Sequence, residues 1–162
     1  ALNNTPVIED DPYCVCFQRS LAEKIYGSHW PEIEEQLILQ QDLRLLKKMP
    51  FLLQMDRYTE LVGDMDLIFK EYNFKPIIAS KSESCSINEI FCLDGIGVLL
   101  ASESHIKYRF DTREDIRYRE LLSYPIKVTS FHPTLCISSP FGKRLHTAEK
   151  LFINEATLFF KS

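Results

Sequence analysis

The chain has 162 residues, 45% of them hydrophobic and 26% charged, with a formal net charge of −4 and a pI near 5.6. That length supports about one domain with a real core, and the composition is that of an ordinary globular protein. The acidic balance excludes the basic footprint by which a domain grips nucleic acid, and no apolar run approaches the roughly 20 residues of a membrane span.

Residues 2–11 are polar, carry Pro6 and end in Glu9, Asp10 and Asp11; they read as a loop or crossing segment. Tyr13–Phe17, YCVCF, is rich in β-favouring residues and predicts a short strand. Ser20 with Glu23 has the spacing of a capping box, which predicts a helix with Leu21, Ile25 and Tyr26 inward and Gly27 as its stop. A second helix is predicted over 31–41, with Pro31 in its first turn, Glu32, Glu34 and Glu35 near the positive end of its dipole, and Ile33, Leu37 and Ile38 as its stripe. Asp42–Leu46 reads as a helical turn that leads to a strand over 51–53.

After that strand, Gln54–Tyr58 is a polar loop, and Leu61, Val62, Met65, Ile68, Phe69 and Tyr72 recur at the helical period. Asn73 stands where the chain must turn left-handed, Pro76 forbids more helix, and 77–80 is the next strand. Residues 81–102 then combine a polar loop, a capping box of Ser86 with Glu89, a helix with Ile87, Ile90 and Phe91 inward, a stop at Gly95, and the strand Val98–Ala101. That last run is apolar on both parities, as in a strand covered on both faces. Beyond it, 103–110 predicts a short helix, 111–119 a charged surface excursion, 121–128 a returning segment and 133–138 a strand. A final amphipathic helix then turns Ala148, Leu151, Phe152, Ala156 and Phe159 inward.

Two strand–loop–helix units in succession, at 51–72 and 77–93, make an α/β fold. In open α/β sheets, loops at the carboxyl ends of strands bind ligands, and helix N-termini there favour anions. The candidate ligand-binding residues are Gln54, Asp56, Arg57, Tyr58 and Thr59 from one loop and Ser82, Glu83, Ser84 and Ser86 from the other.

Over about half the chain, the order Pro50-Phe51-Leu52-Leu53, a polar loop, a helix, Asn73-Phe74-Lys75-Pro76, a strand, and a helix ending in Asp94-Gly95-Ile96-Gly97-Val98 resembles the effector-binding domain of LysR-type transcriptional regulators. The resemblance implies an α/β, periplasmic-binding-protein-like lobe with a mixed, mostly parallel sheet flanked by helices. It implies a piece lacking part of the N-terminal side, with residues 1–128 as the second lobe and its crossing segments and 129–162 as a strand and helix returning toward the first. It also implies a small-molecule effector, a homo-oligomer, and DNA contact only through an N-terminal domain outside this chain; two helix N-termini and Arg57 near the cleft, with Asp56 and Glu83 limiting the positive charge, predict that the effector is a small polar metabolite or carboxylate. The helix at 31–41 is longer than the family's usual loop with a short helix. A solute-binding protein of the same fold is the alternative.

Five cysteines, Cys14, Cys16, Cys85, Cys92 and Cys136, form no CxxC pair and no metal-ligand spacing with the four histidines, which points to reduced thiols and the cytoplasm. No cofactor is implied. A Gly-x-Ser-x-Gly elbow, a Walker loop and GxGxxG are all missing, so the reading is not an enzyme. Cys85 lies near a predicted helix N-terminus, a position that lowers a thiol pKa.

Overall fold

The computed structural model describes residues 2–55, 63–110, 116–131, 134–142 and 144–161. It divides into two compact units: Pro12–Phe131, and Ala1–Asp11 together with His132–Ser162.

The larger unit is built on a five-stranded sheet of β2 (Tyr13–Gln18), β3 (Pro50–Gln54), β4 (Ile77–Ser82), β5 (Val98–Ser102) and β6 (Leu121–Pro125), in the order β4-β3-β5-β2-β6. β3 is parallel to β4 and to β5, whereas β2 is antiparallel to both β5 and β6. The sheet is therefore mixed, with only β2 running against the other four. The expected returning segment at 121–128 supplies β6, an edge strand.

The period-two alternation of the central strands sorts the core into two layers. Val15, Phe17, Phe51, Leu53, Val98 and Leu100 face one cluster, which includes Leu21 and Tyr26 of α1 (Arg19–Tyr26), Trp30 and Leu37 of α2 (Trp30–Gln40), and Met65, Ile68 and Phe69 of α3 (Gly63–Glu71). Cys14, Cys16, Leu52, Leu99 and Ala101 face the other, with Cys92 of α4 (Cys85–Leu93) and Ile106 of α5 (Glu103–Arg109). Helices thus cover both faces of the sheet, and the apolar run of β5 is buried throughout. The two strand cysteines share one face, as their spacing required.

Two glycines fix how α4 leads into β5. Gly95 has φ +70°, the left-handed conformation that ends a helix. At Gly97 a Cβ would stand 3.0 Å from the carbonyl oxygen of Pro50, so only a bare backbone allows β5 this close to β3. Asn73 turns left-handed at φ 45°, as predicted.

The predicted capping boxes do not form. β2 stays hydrogen-bonded as far as Gln18, which pairs with Leu121, and α1 begins at Arg19 with Gln18 as its N-cap; Ser20 is already inside the helix. Likewise Ser82 Oγ accepts from the Ser84 N–H at 3.0 Å and closes the loop early, so Ser84 is the N-cap of α4 and Ser86 lies in its first turn. Glu89 is then out of capping reach. The inward face also differs from expectation: Asn88, Glu89, Cys92 and Leu93 are buried, while Ile87 and Ile90 are 44% and 49% exposed. Ile38 of α2 is exposed too.

In the smaller unit β1 (Leu2–Ile8) pairs antiparallel with β7 (Leu135–Pro140), and α6 (Thr147–Lys161) packs on β1. Residues 2–8 are thus a strand and not a loop: Thr5 and Ile8 gain ladder partners, Ile137 and Leu135, from the far end of the chain that no local pattern announces. On α6, Leu151, Phe152 and Phe159 are exposed within this chain, against expectation, and Ile153, Ala156 and Phe160 are half-buried.

Candidate effector site

Parallel β3, β4 and β5 end on one side of the sheet, and β2, running the other way, begins there: Tyr13 pairs with Ser102. Gln54 is the last residue of β3, Ser82 the last of β4 and Ser102 the last of β5. Helices α4 and α5 start from the same side, so their free N–H groups gather beside those strand ends. Ser102 caps α5, accepting from the His105 N–H at 3.3 Å. Tyr13 donates its hydroxyl to Asp64 Oδ2 of α3 at 2.7 Å. A cavity of about 160 Å³ opens here, lined by Tyr13, Gln54, Asp64, Cys85, Ser102 and His105 among others.

Of the residues expected at the site, Gln54 lines this cavity and Ser82 and Ser84 form the tight loop leading into α4. Glu83 and Ser86 are exposed beside that loop. Asp56, Arg57, Tyr58 and Thr59 lie outside the described residues, as does the predicted start of α3. A hollow of about 440 Å³ lies elsewhere, bordered by Phe69, Phe74 and Pro76. None of the expected residues among those described lines it.

Four groups that sequence reasoning left out converge on the site. Glu89, with a side chain only 5% exposed, receives His105 Nε2 on Oε1 at 3.0 Å and Arg109 Nε on Oε2 at 3.0 Å. Cys85 Sγ donates to the same Oε1 at 3.7 Å. A buried carboxylate is costly unless paired and hydrogen-bonded, and these partners supply both conditions. The signal in the sequence is a pair of i, i+4 faces, Cys85 with Glu89 and His105 with Arg109. That the faces meet is not local information. The Cys85 thiol is pushed up by burial and by the Glu89 carboxylate, the reverse of the helix-terminus expectation.

No family model and no curated protein matches this chain. Solved structures do. The effector-binding domain of QuiR in complex with shikimate is 14% identical with a TM-score of 0.62, the match covering 99% of this chain and 66% of that one. HinK, a LysR family transcriptional regulator from Pseudomonas aeruginosa, is 13% identical with a TM-score of 0.66, over 98% and 49%. The BenM effector-binding domain with its effector benzoate is 14% identical with a TM-score of 0.62, over 98% and 63%. The fold is that of a LysR effector-binding domain. This is the periplasmic-binding-protein-like fold, and the chain spans from about half to two thirds of the length of these LysR-type structures. The strand ends, the α4 loop and the α5 cap lie at the carboxyl ends of the parallel strands, the side on which open α/β sheets present ligand surfaces. No helix among the described residues is long and apolar enough to cross a membrane.

Proposed function

We propose that the chain is the ligand-sensing part of a LysR-type transcriptional regulator, which binds a small polar metabolite and controls transcription through a DNA-binding domain outside this chain. The single observation that carries the reading is the convergence of Gln54, Ser82, Ser84, Ser102 and two helix starts at one side of the sheet, in a fold whose solved neighbours hold shikimate and benzoate. Both of those ligands are carboxylates, and hydroxyls with helix N–H groups suit a carboxylate. Asp56, Arg57, Tyr58, Thr59, Glu83 and Ser86 are proposed to complete the wall. The unit Pro12–Phe131 is read as the second lobe.

The role is binding and not catalysis: the Cys85 thiol is raised, hence less nucleophilic at neutral pH, and the carboxylate beside it is already shared with His105 and Arg109. The compartment is the cytoplasm, consistent with five free cysteines. An effector acts through such a domain only by binding two arrangements of an oligomer with different affinity. For that oligomer the proposed contact is α6, where Leu151 and Phe152 recur seven residues later as Leu158 and Phe159, a seam that a second copy of the helix would cover.

The test is a panel of carboxylates, including shikimate and benzoate, titrated into isotope-labelled protein. Amide shifts should concentrate at Gln54 and Ser82–Ser86 and vanish in Ser84→Trp, which keeps its fold. Shifts elsewhere, or none with any member, would count against the site. For the seam, sedimentation should show Phe152→Lys with Phe159→Lys driving the protein toward monomer.

A further inference from the structure

The trio Cys85, Glu89 and His105 offers a thiol, a carboxylate oxygen and an imidazole nitrogen, all within 4.8 Å of one another. We propose that these three side chains bind one thiophilic divalent cation of the zinc class, with the fourth position open to the cavity beside them. The distances support it. A tetrahedral ion bound at about 2.3 Å to sulfur and about 2.0 Å to nitrogen and oxygen separates sulfur from oxygen by about 3.5 Å and nitrogen from oxygen by about 3.3 Å. The corresponding separations are 3.7 Å from Cys85 Sγ to Glu89 Oε1 and 3.0 Å from His105 Nε2 to the same oxygen. Glu89 Oε1 is the vertex common to both, and the third edge, Cys85 Sγ to His105 Nε2, lies within 4.8 Å against about 3.5 Å around such an ion, a difference that side-chain rotation can close.

The donor set selects the ion. A soft sulfur with a borderline nitrogen fits Zn²⁺ or Co²⁺, whereas Ca²⁺ and Mg²⁺ take six or more oxygens. Three protein ligands and one open position is the arrangement of an exchangeable site and not of a closed structural one. Cys85 and His105 both line the cavity of about 160 Å³, which leaves room for a water or an oxygen of a bound ligand in the fourth position. Arg109 stays on Oε2 and orients the carboxylate so that Oε1 points at the other two ligands. On binding, the thiol proton of Cys85 passes to solvent and the sulfur coordinates as thiolate, while His105 gives up the Nε2 proton it shares with Glu89 and takes the Nδ1–H tautomer, which frees the Nε2 lone pair for the ion. Because only this unit's own side chains are involved, the site stands or falls independently of the regulatory reading.

The probe is Co²⁺ alone, titrated into the full chain after reduction and chelator stripping. The expected result is saturation at one equivalent, with a thiolate-to-cobalt charge-transfer band and the visible bands of four-coordinate cobalt, both displaced by Zn²⁺. Cys85→Ser should remove the charge-transfer band and His105→Gln should weaken binding at least about tenfold, while Cys136→Ser leaves both unchanged. Circular dichroism verifies that each variant is folded. If folded wild type shows no saturable band, if the band survives Cys85→Ser, or if His105→Gln binds as tightly as wild type, the assignment is overturned. Should Cys85→Ser fail to fold, the His105→Gln and Cys136→Ser titrations decide the matter between them.

Discussion

Asn88 donates its side-chain Nδ2 to the carbonyl oxygen of Leu53 at 3.2 Å, from a position on α4 with no solvent exposure. This one bond ties the helix to the interior strand β3 and makes the polar side of α4 its inner side. Removing the amide leaves a strand carbonyl short of a partner and opens a small void. Asn88→Ala should therefore lower stability by about 1–3 kcal/mol, read as a fall in the urea midpoint at unchanged slope. A neutral result would show that the inner face of α4 is held by Cys92 and Leu93 alone.

Gly97 makes a second prediction. An added methyl would meet the Pro50 carbonyl oxygen and Leu52 Cγ, each at 3.0 Å, and the first is backbone that cannot swing aside. Gly97→Ala should cost about 1–3 kcal/mol in denaturant melts, by forcing β5 away from β3. Gly63→Ala, where nothing lies within 4 Å, is the matched control and should be neutral or slightly stabilising.

Glu71 sets a pH dependence. Its two oxygens accept from the hydroxyls and the backbone N–H groups of Thr129 and Ser130, at 2.5–2.9 Å, and these bonds hold the carboxyl at about 2. The folded value lies below the unfolded one, so the stabilisation is complete above roughly pH 5 and is lost as pH falls toward about 2. Wild type should be more stable than Glu71→Ala near neutral pH, and the two curves should converge in acid. Curves that stay parallel down to the lowest pH would show that the bonds do not discriminate between the two protonation states.

The thiols should separate by rate of alkylation. Cys14, Cys16 and Cys92 are buried, and burial pushes Cys92 up to about 12, so native protein should leave all three unmodified while Cys136 and Cys85 react. Within that pair Cys85 is slowed by its burial and by the negative charge of Glu89. Glu89→Gln should lower the Cys85 pKa and speed its labelling at neutral pH, as followed by peptide mass spectrometry. Slower labelling in that variant would mean that access and not charge governs Cys85.

Much of the frame is local and was legible in the residues themselves. The apolar runs at 13–17, 51–53 and 98–101 specify strands because burial on both faces demands apolar side chains at both parities. Gly27, Asn73 and Gly95 specify the helix ends because few residues turn left-handed without strain, and all three have positive φ. Order and spacing of these elements sufficed for the fold and for the side of the sheet on which Gln54, Ser82 and Ser84 gather.

Whatever depends on a partner distant in sequence was decided only by the tertiary structure. Residues 2–8 form a strand because β7, more than a hundred residues away, supplies its hydrogen bonds. The capping boxes at Ser20 and Ser86 satisfy the local rule, yet the β2–β6 ladder and the Ser82–Ser84 loop place the helix starts elsewhere. Ile87 and Ile90 have the apolar pattern of an inward face, but the inner face goes to Asn88 and Glu89: the Leu53 carbonyl accepts from Asn88 Nδ2, and His105 and Arg109 pair with both oxygens of Glu89. Hydrophobic periodicity reports which side chains gain by leaving water; it does not report where a buried polar group finds its partner, and that partner fixed the rotation of α4 and brought Cys85, Glu89 and His105 together.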